Sequence, residues 1–262
     1  MPGASGRLLL FDLDGTLTDP FEGITRSIAY AMERLGRTPP NADDLRWCIG
    51  PPLSVSFVTL LDTDDREEID RAVGFYRERY SAEGKFENRL IEGIPEVLAS
   101  LVDDGFRLVV ATSKLHTYAG DIVDHFGLSR HIAHVYGSEA DGRNASKADL
   151  IRHVLTTEKR DAGDAMMIGD RHHDIVGANE NGVASVGVLW GFGDRAELGD
   201  AGATFIAATP ADLVLIDGDA PWVYRAADGL SARRNAALEG RRFQGRVLKT
   251  FVAGAMIHTN DN

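Results

Sequence analysis

Residues 7–19, Arg-Leu-Leu-Leu-Phe-Asp-Leu-Asp-Gly-Thr-Leu-Thr-Asp, limit what this chain can become more than any other stretch. An apolar run of strand length stops abruptly at two carboxylates and a glycine turn. Side chains alternate along an extended chain, so Asp12 and Asp14 leave the strand tip on the same side. Two like charges held that close need a cation or a shared proton. A lone Asp-x-Asp is explained well enough as an acidic turn. The argument for more depends on what the rest of the chain brings to the same place.

After this strand, residues 20–91 read as helical. Ile24, Ile28, Ala31, Met32 and Leu35 recur at helical spacing until Gly36. A short helix capped by Asn41 and two further helices, about 53–61 and 65–82, follow between proline and glycine breaks. The pattern then changes to strands alternating with helices: strands near 106–112, 133–137, 165–168 and 183–189, with helices near 93–101, 115–126, 148–156 and up to Asn181-Gly182. Such alternation predicts a parallel sheet with crossover helices. The expected architecture is therefore an α/β, Rossmann-like parallel sheet formed by residues 1–19 and 92–217, with a small α-helical cap inserted at 20–91. Residues 218–262 carry no clear pattern and are left as an extension of unknown structure, basic on balance.

The protein as a whole is acidic. A net charge of -12 argues against nucleic acid or an anionic membrane as the partner. No eighteen apolar residues run together. One cysteine, Cys48, rules out an internal disulfide and fits a reducing compartment. The expectation is a soluble, cytoplasmic protein of unassigned oligomeric state.

In a parallel sheet, ligands bind at the carboxyl ends of the strands. The predicted strands end in Asp12 and Asp14, in Thr112-Ser113-Lys114, and in Gly169-Asp170-Arg171-His172-His173-Asp174, while Lys147 begins a helix after the 133–137 strand. Acids, a hydroxyl and a lysine brought to one edge suit metal-assisted phosphoryl transfer. This ordered set resembles the haloacid dehalogenase superfamily of phosphohydrolases over roughly residues 7–216. The matching motifs are Asp12-Leu13-Asp14-Gly15-Thr16, Thr112, Lys147, and Gly169-Asp170 with Asp174.

The resemblance implies a role for each. Asp12 would be the nucleophile that forms an aspartyl-phosphate. Asp14 would protonate the leaving alcohol and then deprotonate water. Mg²⁺ would be held by Asp12, the backbone carbonyl of Asp14, and Asp170, with Asp174 as a further ligand or a partner to one. Thr112 and Ser113 would hold phosphoryl oxygens, and Lys147 would neutralise charge on substrate and nucleophile. Phosphate monoesters hydrolyse so slowly unaided that catalysis must supply on the order of 20 kcal/mol, mostly electrostatic.

The presence of Asp14, which gives a leaving alcohol its proton, implies a phosphatase rather than a dehalogenase. The substrate expected is a small phosphorylated metabolite, phosphoglycolate-like, with nucleoside monophosphates and a 5′-nucleotidase activity as the alternative. A non-catalytic interaction protein on the same fold is the rival from another class. Glu22, Arg26, Trp47 and the Gly50-Pro51-Pro52-Leu53 turn are the candidates to face substrate from the cap. His172 and His173 read as solvent-facing loop residues, Lys114 as a helix-start lysine, and residues 190–193 as a packing loop beside the site.

Overall fold

The computed structural model describes residues 7–210, 213, 215–223, 242–252 and 255–259. Strand β1 (Leu8–Phe11) is buried along its whole length, which accounts for an apolar run without alternation. Each of its leucines contributes roughly 1.5–3 kcal/mol by leaving water. After a turn, β2 (Thr18–Asp19) leads into a helical insert: α1 (Phe21–Arg34), a 3₁₀ turn (Ala42–Cys48), α2 (Leu53–Leu61) and α3 (Arg66–Arg79), which runs into a wide π-type turn (Tyr80–Gly84). β3 (Arg89–Leu90) returns the chain beside its exit, with Thr18 paired to Leu90 and Asp19 to Arg89. The insert has its own apolar core, in which Ile28, Leu45, Phe57 and Tyr80 are almost fully buried.

Beyond the insert come α4 (Ile94–Asp103), β4 (Arg107–Leu115), α5 (His116–His125), β5 (His134–Ser138), α6 (Lys147–Glu158), β6 (Ala165–Gly169), α7 (His172–Glu180), β7 (Ala184–Val188), α8 (Arg195–Asp200) and β8 (Phe205–Ala207). Strands β1 and β4 to β8 form one sheet in the order β5-β4-β1-β6-β7-β8, all parallel. β1 lies between β4 and β6, and the chain leaves it in both directions, so a topological switch point falls beside Asp12. Helices α6 and α7 cover one face through Leu150, Ile151, Val154 and Ala178, packed on Leu8, Leu10 and Met167.

The strands and helices expected from pattern are present with ends shifted by a few residues, except that the segment after Asn41 is 3₁₀ and the Asn41 side chain donates to Asp44 Oδ2 without capping it. The short α8 and β8 and the two-residue β2/β3 pair carry too little periodicity to be read from sequence. The chain separates into two compact units, Met1–Thr209 and Pro210–Asn262. In the second, β9 (Leu215–Val223), β10 (Arg242–Val252) and β11 (Ala255–Thr259) make an antiparallel sheet in the order β11-β10-β9. The tail arginines Arg225, Arg233, Arg234 and Arg241 lie outside the described residues. Among the described residues, no helix is long and apolar enough to cross a membrane.

Candidate active site

The turn after β1 sets the geometry. Gly15 adopts φ +83°, and its N–H donates to Thr18 O at 2.7 Å, which closes the loop directly behind the two carboxylates. Any side chain at Gly15 would also overlap the Asp170 carboxylate, so the residue is required for both backbone and space.

Asp12, Asp170 and Asp174 are buried, and each offers a carboxylate oxygen within 4.8 Å of the others. Lys147, on the first turn of α6, is the cation among them. Its Nζ lies 2.9 Å from Asp12 Oδ1 and 2.7 Å from Asp174 Oδ1, and donates to Ala111 O at 3.0 Å. Burial opposes its charge, yet the Asp12 and Asp174 carboxylates outweigh that and hold the ammonium well above the usual lysine range. Asp170 accepts from Phe192 N at 2.7 Å through Oδ2 and from Thr16 Oγ1 at 3.3 Å through Oδ1. Burial, then the Asp174 and Asp12 charges, push its carboxyl well up. Asp174 is likewise raised by burial, against the pull of Lys147, and its Oδ2 caps α7 by accepting Arg171 N at 3.1 Å. Three buried carboxylates share one lysine. That deficit of positive charge, in an all-oxygen donor set, fits a hard divalent cation.

Asp14 is also buried, but its side chain stays outside this cluster. It pairs with Lys114 at 2.8 Å through Oδ2, while its Oδ1 has no hydrogen-bond partner among the described residues. Burial raises its carboxyl, with Lys114 acting against the shift. Lys114 is therefore not a helix-start surface residue: β4 continues through it to Leu115, and its side chain is 7% exposed. The histidines lie in a helix and not a loop, and His172 remains solvent-facing, with a side chain 42% exposed. His172 and His173 form the first turn of α7, His172 pairs with Glu197 at 2.7 Å, and burial pushes half-buried His173 down to about 4.

Above these groups a cleft of about 440 Å³ opens between insert and sheet. Asp12, Asp14, Thr112 and Ser113 line its floor, and Gly50, Pro51, Pro52, Leu53, Tyr76 and Tyr80 line the insert side. The 50–53 turn thus faces the cleft as the sequence suggested. Glu22, Arg26 and Trp47 do not line it; Arg26 instead pairs with Glu22 and Glu87. Residues 190–193 form part of the site's frame, since Phe192 N binds Asp170 and Trp190 Nε1 donates to Thr16 O at 3.0 Å. Sequence reasoning assigned Tyr80 no role, placed Thr16 only as part of the first motif, and read Lys114 as a helix-start lysine. Thr16 stands within the first motif and Lys114 two residues beyond Thr112, so adjacency was the available signal.

Residues 9–188 match the family described as haloacid dehalogenase-like hydrolase. The chain belongs to this family. A 5′-nucleotidase of Pseudomonas aeruginosa is 50% identical over 190 residues, covering 72% of this chain and 86% of that protein. The tyrosine-protein kinase PtkA of Mycobacterium tuberculosis is 38% identical over 212 residues, 81% of this chain and 72% of its own. A phosphoglycolate phosphatase of Agrobacterium fabrum is 32% identical over 194 residues, 71% and 82% of the two chains. The crystal structure of a predicted phosphatase from Clostridium acetobutylicum superposes with a TM-score of 0.74 at 42% identity, covering 76% of this chain and 92% of that one. This haloacid dehalogenase-like hydrolase is a phosphatase, with a buried aspartate cluster suited to a divalent metal.

Proposed function

We propose that the enzyme is a Mg²⁺-dependent phosphomonoesterase that works through an aspartyl-phosphate on Asp12, with nucleoside 5′-monophosphates as substrates. The observation that carries the chemistry is the division of one strand tip between two lysines. Lys147 holds Asp12 at 2.9 Å and Lys114 holds Asp14 at 2.8 Å, so neighbouring carboxylates sit in different electrostatic settings.

Asp12 attacks phosphorus, the ester P–O bond breaks, and Asp14 delivers its proton to the leaving oxygen. Water then attacks the phosphorus of the acyl-phosphate, Asp14 takes the water's proton, and Asp12 and inorganic phosphate are released. Thr112 and Ser113 contribute donors to the phosphoryl oxygens from the cleft floor. Lys147 offsets their charge, and Asp12, Asp170, Asp174 and the Asp14 carbonyl would hold Mg²⁺. When bound, the ion supplies further positive charge to the phosphoryl group.

The cleft supports the nucleoside over a two-carbon acid. Its volume is about 440 Å³; Ile24, Leu53, Val73 and Tyr76 line it from the insert and Tyr118 from α5, more apolar surface than a small acid phosphate uses. The nucleotidase relative is also the more similar of the two candidates, at 50% against 32% identity. Phosphoglycolate stays as the second reading because of that other relative. The free, buried thiol of Cys48 fits the cytoplasm.

The test is hydrolysis by purified protein with Mg²⁺ of p-nitrophenyl phosphate, phosphoglycolate and the nucleoside monophosphates. A kcat/KM for some nucleotide at least about tenfold above that for phosphoglycolate is expected. The reverse order would favour phosphoglycolate. Hydrolysis of none would support a non-catalytic role, and phosphorylation of a protein tyrosine would redirect the reading towards the mycobacterial relative's named activity.

A further inference from the structure

The reaction as written has Lys147 offset phosphoryl charge, while the second buried lysine, Lys114, enters it only through its pairing with Asp14. The ion pair between Lys114 and Asp14 is enclosed, with side chains 7% and 11% exposed. It clamps Oδ2 of Asp14 and leaves Oδ1 buried and unpartnered among the described residues, on a residue that lines the floor of the cleft. A carboxyl held in this way presents one oxygen for proton exchange.

Lys114 is itself held from the other side. Its ammonium donates to the Tyr80 hydroxyl at 2.5 Å and lies 4.5 Å from the centre of the same ring. Tyr80 belongs to the helical insert, not to the sheet. It is 1% exposed, stacked on Tyr76 at 5.1 Å and tilted against Tyr118 of α5 at 5.5 Å. It opens the π-type turn after α3, a distortion often found at functional positions. On the sheet side, pairing of β4 with β5 shifts register between Ala111 and Leu115. Gly137 makes room for this, since a Cβ there would come within 2.7 Å of the Lys114 carbonyl oxygen.

We propose that Lys114 and Tyr80 are positioning residues that tie the seating of the insert to the orientation of the Asp14 carboxyl. The Tyr80 hydroxyl fixes the Lys114 ammonium, which fixes Asp14 with Oδ1 free to meet the leaving oxygen. An insert displaced from the sheet withdraws Tyr80 and loosens the chain of contacts at its start, so proton delivery is best aligned when the cleft is closed. The inference rests on the assignment of Asp14 as acid/base above. The step concerned is the transfer of the Asp14 proton to the leaving oxygen as the Asp12–phosphorus bond forms and the ester bond breaks.

Leaving groups read this step directly. Phenyl phosphate and p-nitrophenyl phosphate have nearly the same shape, but nitrophenolate departs with much less need of a proton. Lys114→Met is expected to lower kcat on phenyl phosphate about tenfold further than on p-nitrophenyl phosphate. Tyr80→Phe is expected to act in the same sense, about threefold, with KM little changed. Asp14→Asn supplies the reference pattern. If Asp14→Asn discriminates between the two esters while Lys114→Met and Tyr80→Phe lower both equally, the positioning proposal is overturned and the phosphatase reading stands. If Asp14→Asn does not discriminate, the acid/base assignment itself falls. Tyr80→Phe keeps the packed ring and removes one oxygen, so it carries the test should Lys114→Met fail to fold.

Discussion

The three carboxylates of Asp12, Asp170 and Asp174 set the residue-scale energetics. They converge within 4.8 Å with one lysine among them, so the metal-free site carries uncompensated negative charge. A cation bound there stabilises the folded state by mass action, about 2.7 kcal/mol at roughly a hundredfold excess over Kd. Mg²⁺ is therefore expected to raise the melting temperature of the wild type, and Asp170→Asn to abolish most of that rise in a thermal-shift titration. Lys147→Met should cost at least about a hundredfold in kcat, because it removes the lysine that, among the described residues, pairs with the proposed nucleophile Asp12. Steady-state assays on p-nitrophenyl phosphate check this, with circular dichroism to confirm the fold. Asp12, Lys147, Asp170 and Asp174 could be brought together from sequence because each lies just past a strand end or in the first turn of a helix at the sheet edge, whereas Thr112 sits inside β4, which runs on to Leu115. Lys114 was visible too, but its role depends on Tyr80, 34 residues away on another layer, and no local pattern encodes that meeting.

At the scale of elements, periodicity told helices from strands wherever a segment was long. It failed where tertiary pairing alone makes the element, as in the two-residue β2/β3 pair and the short α8. Yet α8 matters, because Glu197 on it ties down the start of α7, the helix that carries Asp174. Glu197 accepts from His172 N and Arg171 Nε, both at 2.9 Å, and faces the His172 ring at 2.7 Å. Burial acts to raise its carboxyl, but these donors outweigh it and pull it from 4.5 down to about 2. A carboxyl lowered in the folded state stabilises it fully above the unfolded value, and that contribution is lost as pH falls through the folded one. Glu197→Gln is thus expected to lower the melting temperature near neutral pH. The gap from wild type should narrow as pH falls from 4.5 to about 2, measured by paired melts across that window. An equal gap at every pH would show that Glu197 acts by shape and not by charge.

For the whole molecule, the division of labour between its two compact units can be argued from position. Every residue placed in or beside the site, from Asp12 to Glu197, lies within Met1–Thr209, together with all six strands of the parallel sheet and the complete helical insert. A unit with its own core and complete sheet is expected to fold independently. The Pro210–Asn262 unit resisted reading from sequence for a physical reason. Its β9–β10 pairing shifts register between Gln244 and Arg246 and again between Val247 and Lys249, which breaks the period-two alternation that marks a strand. A chain ending at Thr209 should therefore give a single cooperative melt and hydrolyse p-nitrophenyl phosphate within about threefold of the full-length rate. A well-folded truncation that loses much more activity than this would place part of the catalytic apparatus in the second unit. A loss confined to larger substrates, with the aryl ester unaffected, would instead give that unit a part in selecting the leaving group.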